Sequence, residues 1–201
     1  MLQNNQMKAL VYAVIAARNE EKHIYKVVSQ TKKYVDKIVV VDDGSSDNTY
    51  TEAKKAGATV LKHIVNLGKG AAIKTGCEFA IKNRAEAIVL LDADGQHDPS
   101  LIPKFTQALQ NNDIVFGIRK AKKSMPFVLK FGNWFIGTVT KLILSINVPD
   151  PLSGYRAFKA KVYPKIRWQS RGYTLEIEMV ARTSRKRLKY SLVKISTIYA
   201  D

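Results

Sequence analysis

Cysteine is almost missing from this chain: Cys77 stands alone among 201 residues and can close no internal disulfide. That excludes a disulfide-stapled secreted scaffold and leaves a reducing, cytoplasmic setting as the expectation. Long apolar runs are missing as well. No stretch reaches the roughly 20 uninterrupted apolar residues that a membrane-spanning helix needs, and the best candidate, Phe131 to Val148, is broken by Lys141. Met1 to Lys8 is polar and lacks the pattern of a signal peptide. There is no repeat, no low-complexity tract and no linker-like stretch, so residues 1–201 are expected to form one domain. Its ordinary hydrophobic share, 46%, excludes disorder and supports a full core.

Acidic residues are scarce, and their scarcity is uneven. Up to Gly117 there are 15 Lys and Arg against 13 Asp and Glu; from Ile118 onward there are 18 against 4, a net +14 in 84 residues. A field of this kind suits an anionic partner: nucleic acid, an acidic membrane surface or a phosphorylated substrate.

The first 118 residues alternate short apolar runs with helical patterns. Ala9–Ala17, Ile38–Val41, Ala58–Val65, Ala87–Leu91 and Asp113–Ile118 have strand length and are apolar on both faces, as buried parallel strands are. Between them, Ile24, Val27, Val28, Thr31 and Val35 recur at helical spacing behind Asn19, a candidate cap with Glu20 and Glu21 in its opening turn. Asn48–Ala56, Gly70–Asn83 and Pro99–Gln110 complete the alternation. The pattern predicts an open, mostly parallel, doubly wound α/β sheet with helices on both faces. Beyond it, Pro149–Gly154 reads as a loop, Tyr173–Lys186 as a helix and Tyr190–Tyr199 as a last strand.

Ligands of such sheets bind beyond the carboxyl ends of the strands. Three polar clusters fall there: Ala17-Arg18-Asn19-Glu20, Asp42-Asp43-Gly44-Ser45 and Asp92-Ala93-Asp94-Gly95-Gln96-His97. Massed carboxylates call for a cation or for donors on a ligand. Asp92 and Asp94, with the Gln96 amide nearby, offer hard oxygens suited to Mg²⁺ or Mn²⁺ on a diphosphate. His97 reads equally as a supporting hydrogen-bond partner or a metal ligand. Gly68-Lys69-Gly70 opens a helix and can either meet phosphate or serve as a flexible entry. Cys77 lies on that helix's apolar stripe as core, and Glu176 and Glu178 cannot share one face, so one is expected to point into a site and the other to water.

In their order along the chain these motifs resemble the inverting glycosyltransferases of family 2, of GT-A fold, and most of all the polyprenyl-phosphate sugar synthases. The resemblance runs from Val14 to Tyr199. It implies that Ala16, Ala17, Arg18 and Glu20 line the nucleotide, with Val41 and Asp43 in the second nucleotide motif and Asp43 accepting from the base. Lys69, in the family's glycine-lysine turn, would also bind the nucleotide. Asp92 and Ala93 would contact ribose or donor sugar, and Asp94 and Gln96 would hold the metal. Arg119 would face phosphate, and Asp150, Ser153 and Arg156 would stand beside the acceptor, with Glu176 in the helix that follows. Ala16 stands where the family usually has proline, and Leu192-Val193-Lys194-Ile195 where relatives often carry Glu-Val-Pro-Ile. Relatives also continue past the position of Asp201, so a C-terminal extension is expected to be absent.

The resemblance implies transfer of a hexose, from GDP-mannose or UDP-glucose, to a polyprenyl phosphate with inversion, with Asp92, Asp94, Arg119 and Asp150 as the catalytic set. The basic C-terminal part would meet acceptor phosphate and an acidic membrane at its cytoplasmic face, with Phe127–Ile146 as an interfacial or amphipathic core segment. Alternatives are a sugar-hydroxyl acceptor, with Asp150 or Glu176 as base, and a nucleotidyltransferase. A nucleic-acid-binding domain leaves the paired aspartates unexplained, and no nucleic-acid partner is expected.

Overall fold

The structure, a computed structural model, describes residues 9–119, 144–172 and 174–195. Residues 127–143, most of the expected interfacial segment, lie outside them, as does the last strand beyond Ile195. Seven strands form one sheet: β1 (Val11–Ala17), β2 (Lys37–Asp43), β3 (Thr59–His63), β4 (Ala87–Asp92), β5 (Ile114–Arg119), β6 (Arg156–Lys159) and β7 (Tyr190–Ile195). Their order is β3-β2-β1-β4-β6-β5-β7. All neighbours run parallel except β6, which is antiparallel to both β4 and β5. The predicted mostly parallel α/β class is therefore the observed one.

Strands apolar on both faces build two cores, because successive side chains point to opposite sides of the sheet. Tyr12, Val14, Val39, Val41, Ile88 and Leu90 face α3 (Lys69–Lys82), α5 (Tyr163–Ile166) and α6 (Leu175–Arg185). Val11, Ala13, Ile15, Ile38, Val40, Val89 and Leu91 face α1 (Ile24–Thr31), α2 (Thr49–Lys55) and α4 (Ile102–Ala108). Cys77 is fully buried in the first core, as expected, and burial pushes its thiol pKa well up.

Three details differ from the sequence reading. Strand β6 falls just past the expected loop and is four residues long, too short to show a period. Strand β3 stops at His63, leaving Ile64 and Val65 exposed. Asn19 does not cap α1, which starts at Ile24. Instead Asn19 adopts a left-handed φ of 55°. Its amide donates to Ser45 Oγ (3.0 Å) and its Oδ1 accepts from the Ser46 amide (2.9 Å). The residue ties the loop after β1 to the loop after β2.

Helix α3 lies close on the sheet because of Gly76. A Cβ there would meet Val14 Cγ1 at 2.5 Å and Val41 Cγ2 at 3.1 Å. In an exposed helix Gly→Ala stabilises by about 1 kcal/mol. Here the sign should reverse: Gly76→Ala should cost about 1–3 kcal/mol by overpacking, read by chemical denaturation.

Candidate active site

The loops beyond the carboxyl ends of β1, β2 and β4 enclose a cleft of about 340 Å³. Ala16, Ala17, Arg18 and Glu20 line it from β1, Asp43 from β2, and Asp92, Ala93 and Asp94 from β4. Asn66, Gly68, Lys69 and Gly172 close the remaining sides. Nine of the residues expected to hold nucleotide or metal thus meet in one place, Lys69 among them. Val41 does not join them: it is fully buried in the sheet core against α3. Gln96 is exposed beside the cleft, and its amide N–H donates to Asp94 Oδ1 at 2.9 Å.

Lys69 is the electrostatic centre. Its ammonium lies 2.7 Å from Asp92 Oδ1 and 3.2 Å from Glu176 Oε1. Burial works to lower the lysine pKa, but the two carboxylates outweigh it and hold the pKa raised. Burial likewise works to raise the Asp92 carboxyl, and the charge and hydrogen bond of Lys69 above all bring it below its usual value. Gly154 makes room for this pair, since a Cβ there would stand 2.8 Å from Asp92 Oδ2. Arg119, at the end of β5, forms a second ion pair, with Nε and Nη2 donating to Asp150 Oδ2 and Oδ1 at 2.7 and 2.8 Å.

His97 takes a supporting place. Its Nδ1 accepts from the Asp92 amide at 3.1 Å, so a neutral ring carries its proton on Nε2, 3.7 Å from Asp92 Oδ2. Burial lowers its pKa and favours that neutral form. The ring stacks on Tyr155, which stacks on Phe105.

Asp94 lines the cleft with one oxygen open: the neighbouring Gln96 amide engages its Oδ1, and among the described residues no hydrogen bond or ion pair engages Oδ2. Among the described residues no three His, Cys, Asp or Glu converge as a metal cage. Asp94 and Gln96 can therefore supply two hard oxygens, and a divalent ion would take the rest from a diphosphate and water, as Mg²⁺ commonly does.

Residues 12–167 match the family model described as Glycosyl transferase family 2. The chain belongs to glycosyl transferase family 2. It is 34% identical to the UDP-N-acetylglucosamine–dolichyl-phosphate N-acetylglucosaminyltransferase of Methanococcus voltae, over 96% of this chain and 87% of that protein. It is 27% identical to the dolichol-phosphate mannosyltransferase of Pyrococcus furiosus, over 86% of this chain and 52% of that protein. In fold it is similar to glucosyl-3-phosphoglycerate synthase from Mycobacterium tuberculosis, crystallised with Mn²⁺, UDP and glucosyl-3-phosphoglycerate. There the TM-score is 0.76 at 20% identity, covering 96% of this chain and 72% of the other. The chain is a glycosyltransferase of GT-A fold.

Within this glycosyltransferase, the residues expected beside the acceptor are not placed to touch one. Ser153, Arg156 and Glu176 are 3%, 1% and 3% exposed. Arg156 donates to the carbonyls of Ser153 (2.8 Å), Glu176 (2.7 Å) and Pro151 (2.6 Å), and its guanidinium lies over the Phe116 ring. Burial pulls its pKa down to about 10, so it stays charged at neutral pH. It pins the 150–155 loop to α6 and is not available to a phosphate. The helix entry at Gly70 is closed in the same way: the Gly70 and Ala71 amides donate to the Arg171 carbonyl at 2.7 and 3.3 Å, so no phosphate cradle forms there. Glu178 does not simply face water either, but accepts the Gln169 and Ser170 amides at 2.9 Å each.

Sequence reasoning missed His63. It sits opposite Asp43 in the parallel register of β2 and β3, and its Nδ1 lies 2.7 Å from Asp43 Oδ1. The signal was the register, because an apolar strand after Asp43 had to end on a neighbour of that carboxylate.

Arg156→Met should cost about 2–5 kcal/mol in thermal or urea unfolding, since three buried carbonyls lose their donors. A surface acceptor-contact residue would leave stability almost unchanged.

Proposed function

We propose that the chain moves a hexose, mannose or glucose, from a nucleoside-diphosphate sugar to a polyprenyl phosphate of dolichyl type, with inversion at the anomeric carbon. The observation that carries this reading is the cleft in which the strand-end loops gather Asp43, Lys69, Asp92 and an uncommitted Asp94 oxygen. Two relatives named above act on dolichyl phosphate or dolichol phosphate by their names, and the structurally similar synthase was crystallised with Mn²⁺ and UDP.

In the proposed reaction an acceptor phosphate oxygen attacks the anomeric carbon from the face opposite the diphosphate. The bond from that carbon to the β-phosphate oxygen breaks, and its electron pair leaves with the nucleoside diphosphate. Mg²⁺ or Mn²⁺ held by Asp94 and Gln96 would neutralise the leaving group's growing charge. Ala16, Ala17, Arg18, Glu20, Asp43 and Ala93 line the nucleotide. Asp92, fixed by Lys69, orients ribose or sugar, and Arg119 offers positive charge to phosphate from the end of β5.

The ion pairs favour a phosphate acceptor over a sugar hydroxyl. A hydroxyl needs a base to remove its proton, whereas a phosphate monoester has a second pKa of about 6 and is mostly dianionic at neutral pH. The two candidate bases are held: Asp150 on both oxygens by the fork of Arg119, and Glu176 on Oε1 by Lys69 with its Oε2 buried away from solvent. Asp150 then acts as a positioning residue for Arg119. Ser153, Arg156 and Glu176 act by holding the cleft wall.

No described helix is long and apolar enough to cross a membrane. The net +14 beyond Ile118 supports peripheral attachment to an acidic, cytoplasmic membrane face.

The test is turnover of a nucleoside-diphosphate hexose with a short polyprenyl phosphate, beside a thermal-shift measurement with nucleoside diphosphate and Mn²⁺. Asp94→Ala should remove the Mn²⁺-dependent shift and reduce turnover by about 100-fold or more. Full retention of both would defeat the metal assignment, and turnover with glycan acceptors alone would defeat the lipid-phosphate reading.

A further inference from the structure

Asp43 meets the cleft with most of its hydrogen-bonding capacity already engaged. A carboxylate offers about four lone-pair positions on its two oxygens. Oδ1 accepts from His63 Nδ1 at 2.7 Å and from the Leu67 amide at 2.9 Å. Oδ2 accepts from the Gly68 amide at 2.8 Å. Facing a carboxylate, Nδ1 must carry the hydrogen, and Nε2 turns to the Thr75 hydroxyl of α3 at 3.1 Å. The donors are fixed by the fold: His63 stands opposite Asp43 in the β2–β3 register, and the two amides belong to the turn that enters α3. Three of the four positions are filled. The vacancy is on Oδ2.

We propose that this occupancy makes the cleft select a uracil base over guanine, and that His63 is the specificity-determining residue. The inference rests on the reading above, in which a nucleoside diphosphate lies in the cleft, with its base at Asp43 as the family resemblance implies. Uracil presents one N–H, at N3, and one vacant acceptor position matches it. Guanine presents two donors side by side, at N1 and N2, and they match a carboxylate with a vacancy on each oxygen. Here Oδ1 has none, because His63 and Leu67 hold both of its positions. One guanine donor is left unpaired against a carboxylate that is itself buried, and an unmade hydrogen bond to a desolvated donor weighs heavily against binding. Selection works by prior occupancy of the competitor's partner, a form of discrimination against the wrong ligand. Ribose, diphosphate and metal are common to both nucleotides and cancel from their ratio.

Calorimetric titration of UDP and GDP, each with Mn²⁺, into the wild-type chain and into His63→Phe tests this. The wild type should bind UDP at least about tenfold more tightly than GDP. In His63→Phe, Oδ1 regains a position, and the ratio should narrow by at least about threefold. Equal or tighter binding of GDP by the wild type overturns the inference while leaving the nucleotide site in place. An unchanged ratio in a folded His63→Phe variant overturns the role of His63. If that variant does not fold, the wild-type ratio decides alone. Binding of neither nucleotide overturns the functional reading itself, and this inference with it.

Discussion

The cleft depends on one ammonium group. Lys69 leaves the first turn of α3, reaches across the carboxyl end of β4 and stands between Asp92 and Glu176. It thereby joins a helix that covers the sheet, the strand that carries the paired aspartates and the first turn of α6. Two carboxylates share its ammonium, and the cleft lining as a whole carries four acids, Glu20, Asp43, Asp92 and Asp94, against the two bases Arg18 and Lys69. In a chain of net +16 the cleft is the place that attracts a cation. Removing the lysine would leave two half-buried or buried carboxylates facing each other, a far costlier state than loss of a surface pair.

Most of the acids at the strand ends turn out to be engaged by backbone rather than waiting for a ligand. Asp42 Oδ1 accepts from the Ser45 amide, Asp47 Oδ2 from the Glu21 amide and Glu21 Oε2 from the Asn48 amide. Asp43 holds the turn into α3, and Glu178 holds the 169–170 segment that lies against the same helix entry. Loops at this edge have no strand partners, so their N–H groups need acceptors from side chains. The carboxylates supply them and fix the loops around the cleft. What remains for chemistry is what the loops leave over, chiefly the open oxygen of Asp94 and the vacancy on Asp43.

That division explains what was legible in the sequence. The strands could be read because residues buried on both faces must be apolar throughout, and Asp92 and Asp94 could be placed because they end such a run. Strand β6 could not, since four residues between a loop and a short helix carry no period. Asn19 has the composition of a cap, and only the neighbouring loop from β2 gives its side chain a different partner. Arg156 has the composition of an anion contact, yet the carbonyls it binds come from residues 151, 153 and 176. Nothing in its own neighbourhood announces the last of these. Composition gives the kind of group present; the long-range contacts decide whether it faces inward.

The same reasoning reshapes the charge argument. Part of the positive charge beyond Ile118 is already engaged: Arg156 is enclosed by carbonyls, Arg119 is clamped by Asp150, and Arg167 and Arg182 pair with Glu78 and Glu178. Arg156 supports the cleft wall, Arg119 is held in place by Asp150, and the fields of Arg167 and Arg182 are weakened by the acid beside each. A lipid phosphate approaching the cleft would therefore be drawn less by a dedicated pocket of arginines than by the remainder of the basic surface. Such attraction is long-ranged and weakens as salt shortens the Debye length. In the proposed reaction, recognition of the donor would be local and geometric, while capture of the acceptor would be diffuse and electrostatic. The sequence separates the two kinds of charge such a division would need, with acids concentrated at the strand ends and the surplus of bases beyond β5.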